Sequence, residues 1–160
     1  MRRHARHPAG FSLAEVLLVV VISGVMLSLA LPAINTARDG AARRAARQQL
    51  SAAFAATRGA ALQKGKTATL TLTAGTATVS VLSGIASTAT TVLGPIRFDS
   101  TLNASIAALN GAPTTVAYSA RGLLTPTPVS TQKYQISIGT LRDTVCVSPA
   151  GVILPKGCQL

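Results

Sequence analysis

The strongest pattern in the chain is an uninterrupted apolar run near the N-terminus. Residues 11–31 read FSLAEVLLVVVISGVMLSLAL, and their only formal charge is that of Glu15. As an α-helix rising about 1.5 Å per residue, the run would extend roughly 31 Å, which is the thickness of a bilayer core. Pro32 follows and is expected to end or bend the helix, because proline has no amide hydrogen. The pattern therefore predicts a membrane-spanning segment at residues 11–32.

The next segment, residues 33–64, is rich in alanine and arginine and predicts a continuing amphipathic helix. At about 100° per residue, one face should pack on the rest of the domain. That face carries Leu50, Phe54, Thr57 and Ala61.

Three arginines, Arg43, Arg44 and Arg47, come before the part of this helix that is expected to pack on a sheet. At this position, nearer the bilayer, they could bind lipid phosphates or acidic groups of neighbouring proteins. They could equally form a solvated basic face. The sequence leaves these alternatives open.

From residue 65 onwards, threonine and valine alternate between glycine turns. The runs TATLTLT (67–73) and TATVSVL (76–82) flank Ala74-Gly75 and predict a β-hairpin. Pro126 and Pro128 mark a loop. Further strands are expected at 91–98, 115–119, 134–138, 143–147 and 152–154. The order of elements predicts an α+β protein, in which a long N-terminal helix packs on an antiparallel β-sheet domain at residues 65–160.

Composition narrows the class of protein. The chain has 160 residues, enough for one modest domain, and carries 15 Lys+Arg against 4 Asp+Glu, a formal charge of +11. Such a charge suggests nucleic acid or an anionic membrane surface as a partner. A hydrophobic content of 48% and a mean hydropathy of +0.43 exclude a disordered basic tail.

The first ten residues, MRRHARHPAG, are basic and contain no acidic residue. A secretory signal peptide has the same order of segments, but the apolar run is longer than usual for one and no A-x-A cleavage site ends it. No cysteine lies near enough for a lipoprotein signal. A plain membrane anchor stays open, although it does not explain Glu15, since an isolated carboxylate at membrane depth costs several kcal/mol.

Residues 10–15, GFSLAE, resemble the class III signal of type IV pilins and type II secretion pseudopilins. The basic leader, the Gly-Phe junction, the spacing of the glutamate and the apolar helix all match that signal. The resemblance implies a pilin-like fold, a leader of residues 1–10 in the cytoplasm, cleavage between Gly10 and Phe11 by prepilin peptidase, and methylation of the new Phe11 amine. Pro32 stands where such proteins commonly carry a helix-bending proline.

The same resemblance gives Glu15 a role in assembly. When pilin helices pack into a filament, this carboxylate can pair with the α-amine of a neighbouring subunit, which offsets the desolvation of both charges and sets the axial register. The expected partners are prepilin peptidase, other pilin or pseudopilin subunits and inner-membrane lipid. The expected location is the inner membrane, with a single span and a periplasmic C-terminal domain, followed by a periplasmic or extracellular filament.

Residues 46–72 carry a second resemblance. An Ala/Arg-rich helix, a Gly-Lys break and a Thr/Leu strand look like the GspH/FimT family, and the fragments IRF (96–98) and YSARG (118–122) agree. This resemblance implies a minor pilin or pseudopilin built into a filament or its tip. A FimT-like subunit of a type IV pilus is favoured over a GspH-like pseudopilin of a type II secretion system, mainly because of the basic surface.

Cys146 and Cys158 are the only cysteines. In an exported domain, such a pair predicts a disulfide that contributes roughly 2–4 kcal/mol and ties the last strand pair into one hairpin. Without its leader the chain has no histidine, so neither a metal site nor a Ser/His/Asp set is expected. No cofactor is expected. The carboxylates outside the membrane helix are too few and too scattered for paired-carboxylate catalysis, so the chain is not expected to be an enzyme.

DNA binding is the third functional alternative. Some FimT-like proteins bind DNA through a C-terminal Gly-Arg-x-Arg motif, but residues 151–154 read GVIL here. Phosphate binding without sequence preference needs only clustered Lys and Arg side chains. The candidates, if the fold collects them, are Arg121, Lys133, Arg142 and Lys156. Few aromatic residues are available for stacking on single strands.

Overall fold

The computed structural model describes residues 12–83, 88–154 and 158. The predicted leader, Phe11 and Lys156 lie outside these residues. The chain divides into two compact units, Met1–Arg38 and Asp39–Leu160. A single helix, α1 (Leu13–Lys64), supplies the described part of the first unit and opens the second. The predicted α+β fold is confirmed.

Eight strands and one short helix follow α1 in the described part of the chain. They are β1 (Ala68–Leu72), β2 (Thr76–Ser83), β3 (Thr88–Arg97), α2 (Phe98–Leu102), β4 (Ser105–Leu109), β5 (Thr115–Tyr118), β6 (Leu124–Thr125), β7 (Gln132–Ile138) and β8 (Leu141–Val147).

The strands form two antiparallel sheets instead of the single sheet that was expected. The first sheet has the order β3-β2-β1-β5-β6 and the second the order β4-β7-β8. The second sheet arises because α2 and the Pro126–Pro128 loop redirect the chain after β3 and after β6. The amide of Ile106 on β4 donates to the carbonyl of Ala74 over 2.7 Å, so the β1–β2 turn also joins the two sheets.

The predicted hairpin is confirmed. β1 and β2 pair antiparallel, with Leu70 opposite Val79, around the turn at Ala74-Gly75. The alternate residues Ala68, Leu70 and Leu72 are buried, whereas the intervening threonines are exposed or half-buried. The alternation of apolar residues and threonines along β1 therefore predicts correctly which face of this hairpin packs inward.

The core of the second unit lies between α1 and the inner faces of the sheets. The predicted apolar face of α1 is buried, and Ala46 and Ala53 extend it. The ring of Phe54 packs on that of Tyr134 of β7, with centroids 5.1 Å apart. The Tyr134 hydroxyl donates to the carbonyl of Pro113 over 3.0 Å, so this large core side chain keeps its hydrogen bond.

Two expectations are wrong in detail. Phe98 does not continue the strand at 91–98; it is fully buried and begins α2. The arginines of α1 do not all precede the packed part of the helix. Ala46 is fully buried and Arg47 already contacts β8, because the second sheet reaches further along α1 than the single expected sheet would.

Candidate functional site

The first turn of α1 carries the glutamate of the N-terminal motif. The side-chain oxygen of Ser12 accepts a hydrogen bond from the amide of Glu15 over 3.2 Å, so Ser12 acts as an N-cap of the described helix. The Glu15 side chain is exposed. A carboxylate in the first turn also interacts favourably with the positive end of the helix dipole.

The apolar half of α1 is exposed along its described length. The leucine, valine, isoleucine and methionine side chains that the structure describes between Leu13 and Leu31 are largely accessible. By length and composition, α1 is the one helix in the described residues that could cross a membrane. An apolar surface of this size is not stable in water and requires lipid or packed neighbouring helices.

Pro32 lies inside α1 and does not end it. Because proline cannot donate an amide hydrogen, the carbonyl of Ser28 loses its usual partner one turn earlier. Hydroxyl groups add hydrogen bonds on both sides of this position. Thr36 donates to the carbonyl of Pro32 over 2.6 Å, and Ser28 donates to the carbonyl of Val25 over 2.7 Å.

The described candidates for DNA binding lie on different parts of the fold. Arg121 is in the turn between β5 and β6 of the first sheet, whereas Lys133 and Arg142 belong to the second sheet. Arg142 pairs with Ser137, four residues beyond Lys133, which corresponds to about 13 Å along the strand. The Arg142 guanidinium donates to the amide oxygen of Gln135 over 3.2 Å. Among the described residues, these charges therefore form no single cluster.

Aromatic side chains offer no stacking platform in the described part of the chain. Phe54, Phe98, Tyr118 and Tyr134 are each at most 1% exposed. Single-stranded nucleic acid is usually held by exposed aromatic rings on which its bases stack. The arrangement gives no support to that mode of DNA binding.

Among the described residues, three arginines instead lie close together on α1, beside β8. We call this feature the arginine groove; it is an open depression of about 570 Å³. It is lined by Arg43, Arg44, Arg47, Gln48, Ser51 and Asp143. The guanidinium of Arg47 lies 3.3 Å from the carboxylate of Asp143. The Nε of Arg43 is buried and has no hydrogen-bond partner among the described residues.

The sequence did not predict that Asp143 lies in this groove and pairs with Arg47. It lies on the same face of β8 as the buried residues Val145 and Val147. A carboxylate at an inward position of a strand needs a partner, because an unpaired charge is costly to bury. The alternation of residues 143, 145 and 147 along the strand could therefore have indicated that Asp143 has a partner. The amide of Thr144 and the guanidinium of Arg47 both donate to one oxygen of this carboxylate.

The predicted disulfide between Cys146 and Cys158 is present, with the two Cα atoms 5.3 Å apart. The chain after β8 turns back, and the amide of Leu154 donates to the carbonyl of Cys146 over 2.9 Å. Ile153 forms a bridge with Val147, so residues 152–154 lie beside β8 as expected, although only Ile153 pairs as a strand residue.

Tyr118 connects this hairpin to the first sheet. Its hydroxyl donates to the carbonyl of Gly151 over 3.3 Å, and the side chain is fully buried. Burial raises the pKa of Tyr118 to about 12, and the nearby Arg58 guanidinium opposes part of this rise. Burial likewise raises the pKa of Tyr134, and the proximity of Tyr118 adds to that rise.

Residues 5–31 match the model of the prokaryotic N-terminal methylation motif. The fold is similar to two crystal structures of the type IV minor pilin FimU from Pseudomonas aeruginosa. The first match has a TM-score of 0.57 at 14% identity and covers 73% of this chain and 95% of FimU. The second has a TM-score of 0.55 at 14% identity and covers 72% and 99%. No curated protein sequence matches at a significant level.

The motif and the fold together define a type IV pilin-like protein. A signal of this class implies processing by prepilin peptidase and association with other pilin subunits. The apolar N-terminal helix indicates a membrane anchor that carries a C-terminal domain.

Proposed function

We propose that this protein is a minor pilin of the FimT kind, a non-enzymatic subunit built into a type IV pilus or its tip. The observation that carries the proposal is the coincidence of the methylation motif at residues 5–31 with a fold similar to that of a type IV minor pilin. The exposed apolar half of α1 supports it, because filament packing or lipid must cover that surface.

In this proposal the chain is cleaved between Gly10 and Phe11, and the Phe11 amine is methylated. Before assembly the protein is anchored in the inner membrane, with residues 65–160 in the periplasm, and it is then incorporated into a filament. Glu15, in the first turn of α1, pairs there with the α-amine of a neighbouring subunit. Because both charges leave lipid together, the pair specifies the axial register of packing. Pro32 lies between the membrane half of the helix and the half that packs on the sheets.

Processing is tested by the intact mass of the protein purified from membranes of its host. We expect a chain that begins at Phe11 and carries one added methyl group. The Gly10→Val variant should keep its leader, whereas Ala9→Val, one residue away, should be processed normally. An unmodified chain that begins at Met1 in the unsubstituted protein contradicts the proposal.

Assembly is tested in sheared filament fractions. Glu15→Val should be processed and remain in the membrane but be lost from filaments, because the α-amine of its neighbour then has no counter-charge. Glu15→Asp keeps the charge on a shorter side chain and should retain part of the incorporation. Equal incorporation of Glu15→Val and the unsubstituted protein would remove the proposed role of this residue.

Deletion of the gene distinguishes the proposed pilus subunit from a GspH-like pseudopilin. Loss of pili with intact protein secretion supports the type IV pilus, and the reverse result supports type II secretion.

DNA binding is tested by titrating the full chain, in nanodiscs of a zwitterionic lipid, with a short duplex. A decrease in affinity on Arg121→Ala and Lys133→Ala would support the DNA-binding alternative.

A further inference from the structure

The arginine groove combines excess positive charge with a concave shape. Among the described residues that line the groove, three guanidinium groups and one carboxylate give a formal charge of +2. Arg43 and Arg47 are half-buried between α1 and the second sheet, and Arg44 at the rim is exposed. The buried Nε of Arg43 has no hydrogen-bond partner in the described part of the chain. Such a donor is costly to leave unsatisfied, and an oxyanion would satisfy it.

The spacing of these groups fits a particular kind of anion. Arg43 and Arg47 are four residues apart on α1, about 6 Å along the helix axis. Alternate side chains of an extended strand are about 6.8 Å apart. Two carboxylates at alternate positions of an extended segment can therefore meet the two guanidiniums. The side chains of Gln48 and Ser51 line the same cavity and can bind the backbone of that segment.

We propose that the arginine groove binds an acidic segment of another protein, through two carboxylate side chains that engage Arg43, Arg44 and Arg47. A planar lipid surface would reach exposed Arg44 but not the half-buried arginines behind it. Asp143 repels any anion in the groove and competes with it for Arg47. A nucleic acid strand, which carries a phosphate at every nucleotide, would bring more negative charge near Asp143 than a segment with two carboxylates does.

The inference goes beyond the proposed function, because it concerns an acidic polypeptide of any origin. Its test does not depend on leader cleavage or filament assembly. The protein is the full chain in phosphatidylcholine nanodiscs. The probe is a fluorescein-labelled peptide, Thr-Glu-Thr-Glu-Thr with blocked ends, and binding is followed by fluorescence anisotropy at low ionic strength.

Four comparisons identify the groove as the binding site. Arg44→Ala should weaken binding about fivefold, since it removes one exposed charge contact without disturbing packing. The matched control Arg142→Ala removes the same charge from the opposite face of β8 and should change affinity less than about twofold. Asp143→Asn should strengthen binding, because it removes the competing carboxylate. The probe with glutamine in place of glutamate should not bind.

The opposite signs of Arg44→Ala and Asp143→Asn distinguish a binding site from a loss of folding, which would lower affinity in both variants. Equal losses in Arg44→Ala and Arg142→Ala would show unspecific attraction and overturn the proposal. So would weaker binding in Asp143→Asn. Displacement of the peptide by duplex DNA, or loss of peptide binding in phosphatidylglycerol nanodiscs, would assign the groove to phosphate groups instead.

Discussion

The guanidinium of Arg47 on α1 lies 3.3 Å from the carboxylate of Asp143 on β8. Their side chains keep 33% and 23% of their exposure, so water still screens the pair. The contact joins the helix to the second sheet at a position between Ala46 and Leu50, which are both fully buried. It therefore ties a packed part of α1 to β8, and it places one carboxylate inside an otherwise basic groove.

The strength of this ion pair is measurable by a double-mutant cycle with Arg47→Ala and Asp143→Ala. We expect a coupling free energy of about 1 kcal/mol, near the upper end for partly exposed pairs. The measurement is chemical denaturation of the full chain followed by circular dichroism. The control cycle pairs Asp143→Ala with Arg142→Ala, whose side chains point to opposite faces of β8, and should give a coupling near zero. No coupling in the first cycle would contradict the prediction.

Phe54→Ala should lower the free energy of unfolding by about 3–5 kcal/mol, because it leaves a cavity against the ring of Tyr134. Leu62→Ala removes an apolar side chain from the same helix at a position that is 51% exposed, and should cost less than about 1 kcal/mol. Denaturant midpoints of the two variants give the comparison. Similar losses in both would mean that α1 packs on the sheets through a different face.

Gly151→Ala should destabilise the protein more than Gly139→Ala. Both glycines have a positive φ, +77° and +54°, so alanine at either position costs about 1–2 kcal/mol of backbone strain. At Gly151 the added methyl group would also lie 2.6 Å from Cε1 of Tyr118, whereas at Gly139 it would meet nothing within 4 Å. Thermal unfolding of the two variants tests the difference. Equal melting temperatures would refute the close packing of the C-terminal hairpin on Tyr118.

The two tyrosines should ionise only in strongly alkaline solution while the protein is folded. The chain has 2 tyrosines, so the ultraviolet titration of tyrosinate reports on these side chains alone. The pKa of Tyr118 is raised from 10.0 to about 12, and burial also raises the pKa of Tyr134. Because the folded pKa of Tyr118 exceeds the unfolded value, its contribution to stability is complete below pH 10.0 and is lost as the pH rises towards about 12.

We therefore expect little tyrosinate absorbance in the folded protein at pH 10.0, the ordinary pKa, and half-ionisation there in denaturant. The free energy of unfolding should fall between this pH and about 12. Tyr118→Phe should make that decrease shallower. Ionisation of both tyrosines at the ordinary pKa in the folded state would contradict their burial.

Elements with a strong local pattern could be predicted from the sequence. The long apolar run predicts a helix because its 21 residues contain no proline and a single formal charge, and the hairpin of β1 and β2 follows from strict alternation around Ala74-Gly75. α2, β4 and β6 were not predicted. α2 has five residues and β6 has two, and such short elements exist only because neighbouring elements pack on them.

The candidate sites also differ in whether local sequence spacing or distant contacts define them. Glu15, Pro32 and the cysteine pair are recognisable because their spacing along the chain carries the information. Only the arginines of the arginine groove could be predicted from the sequence, because they are close together in it. Asp143 could not, because it is 96 residues from Arg47. The predicted set of Arg121, Lys133, Arg142 and Lys156 rested on no local sequence pattern. The fold places the three described members on different parts of two sheets.

The sequence by itself determined the N-terminal motif, the apolar and amphipathic halves of α1, and the inward face of the first hairpin. These features follow from periods of 3.6 and 2 residues and from contacts between near neighbours. Only the tertiary structure decided that there are two sheets, that both tyrosines are buried, and that Asp143 lies among arginines. Each of these depends on contacts between distant parts of the chain, whose free energies are set by packing and burial and have no signature in local spacing.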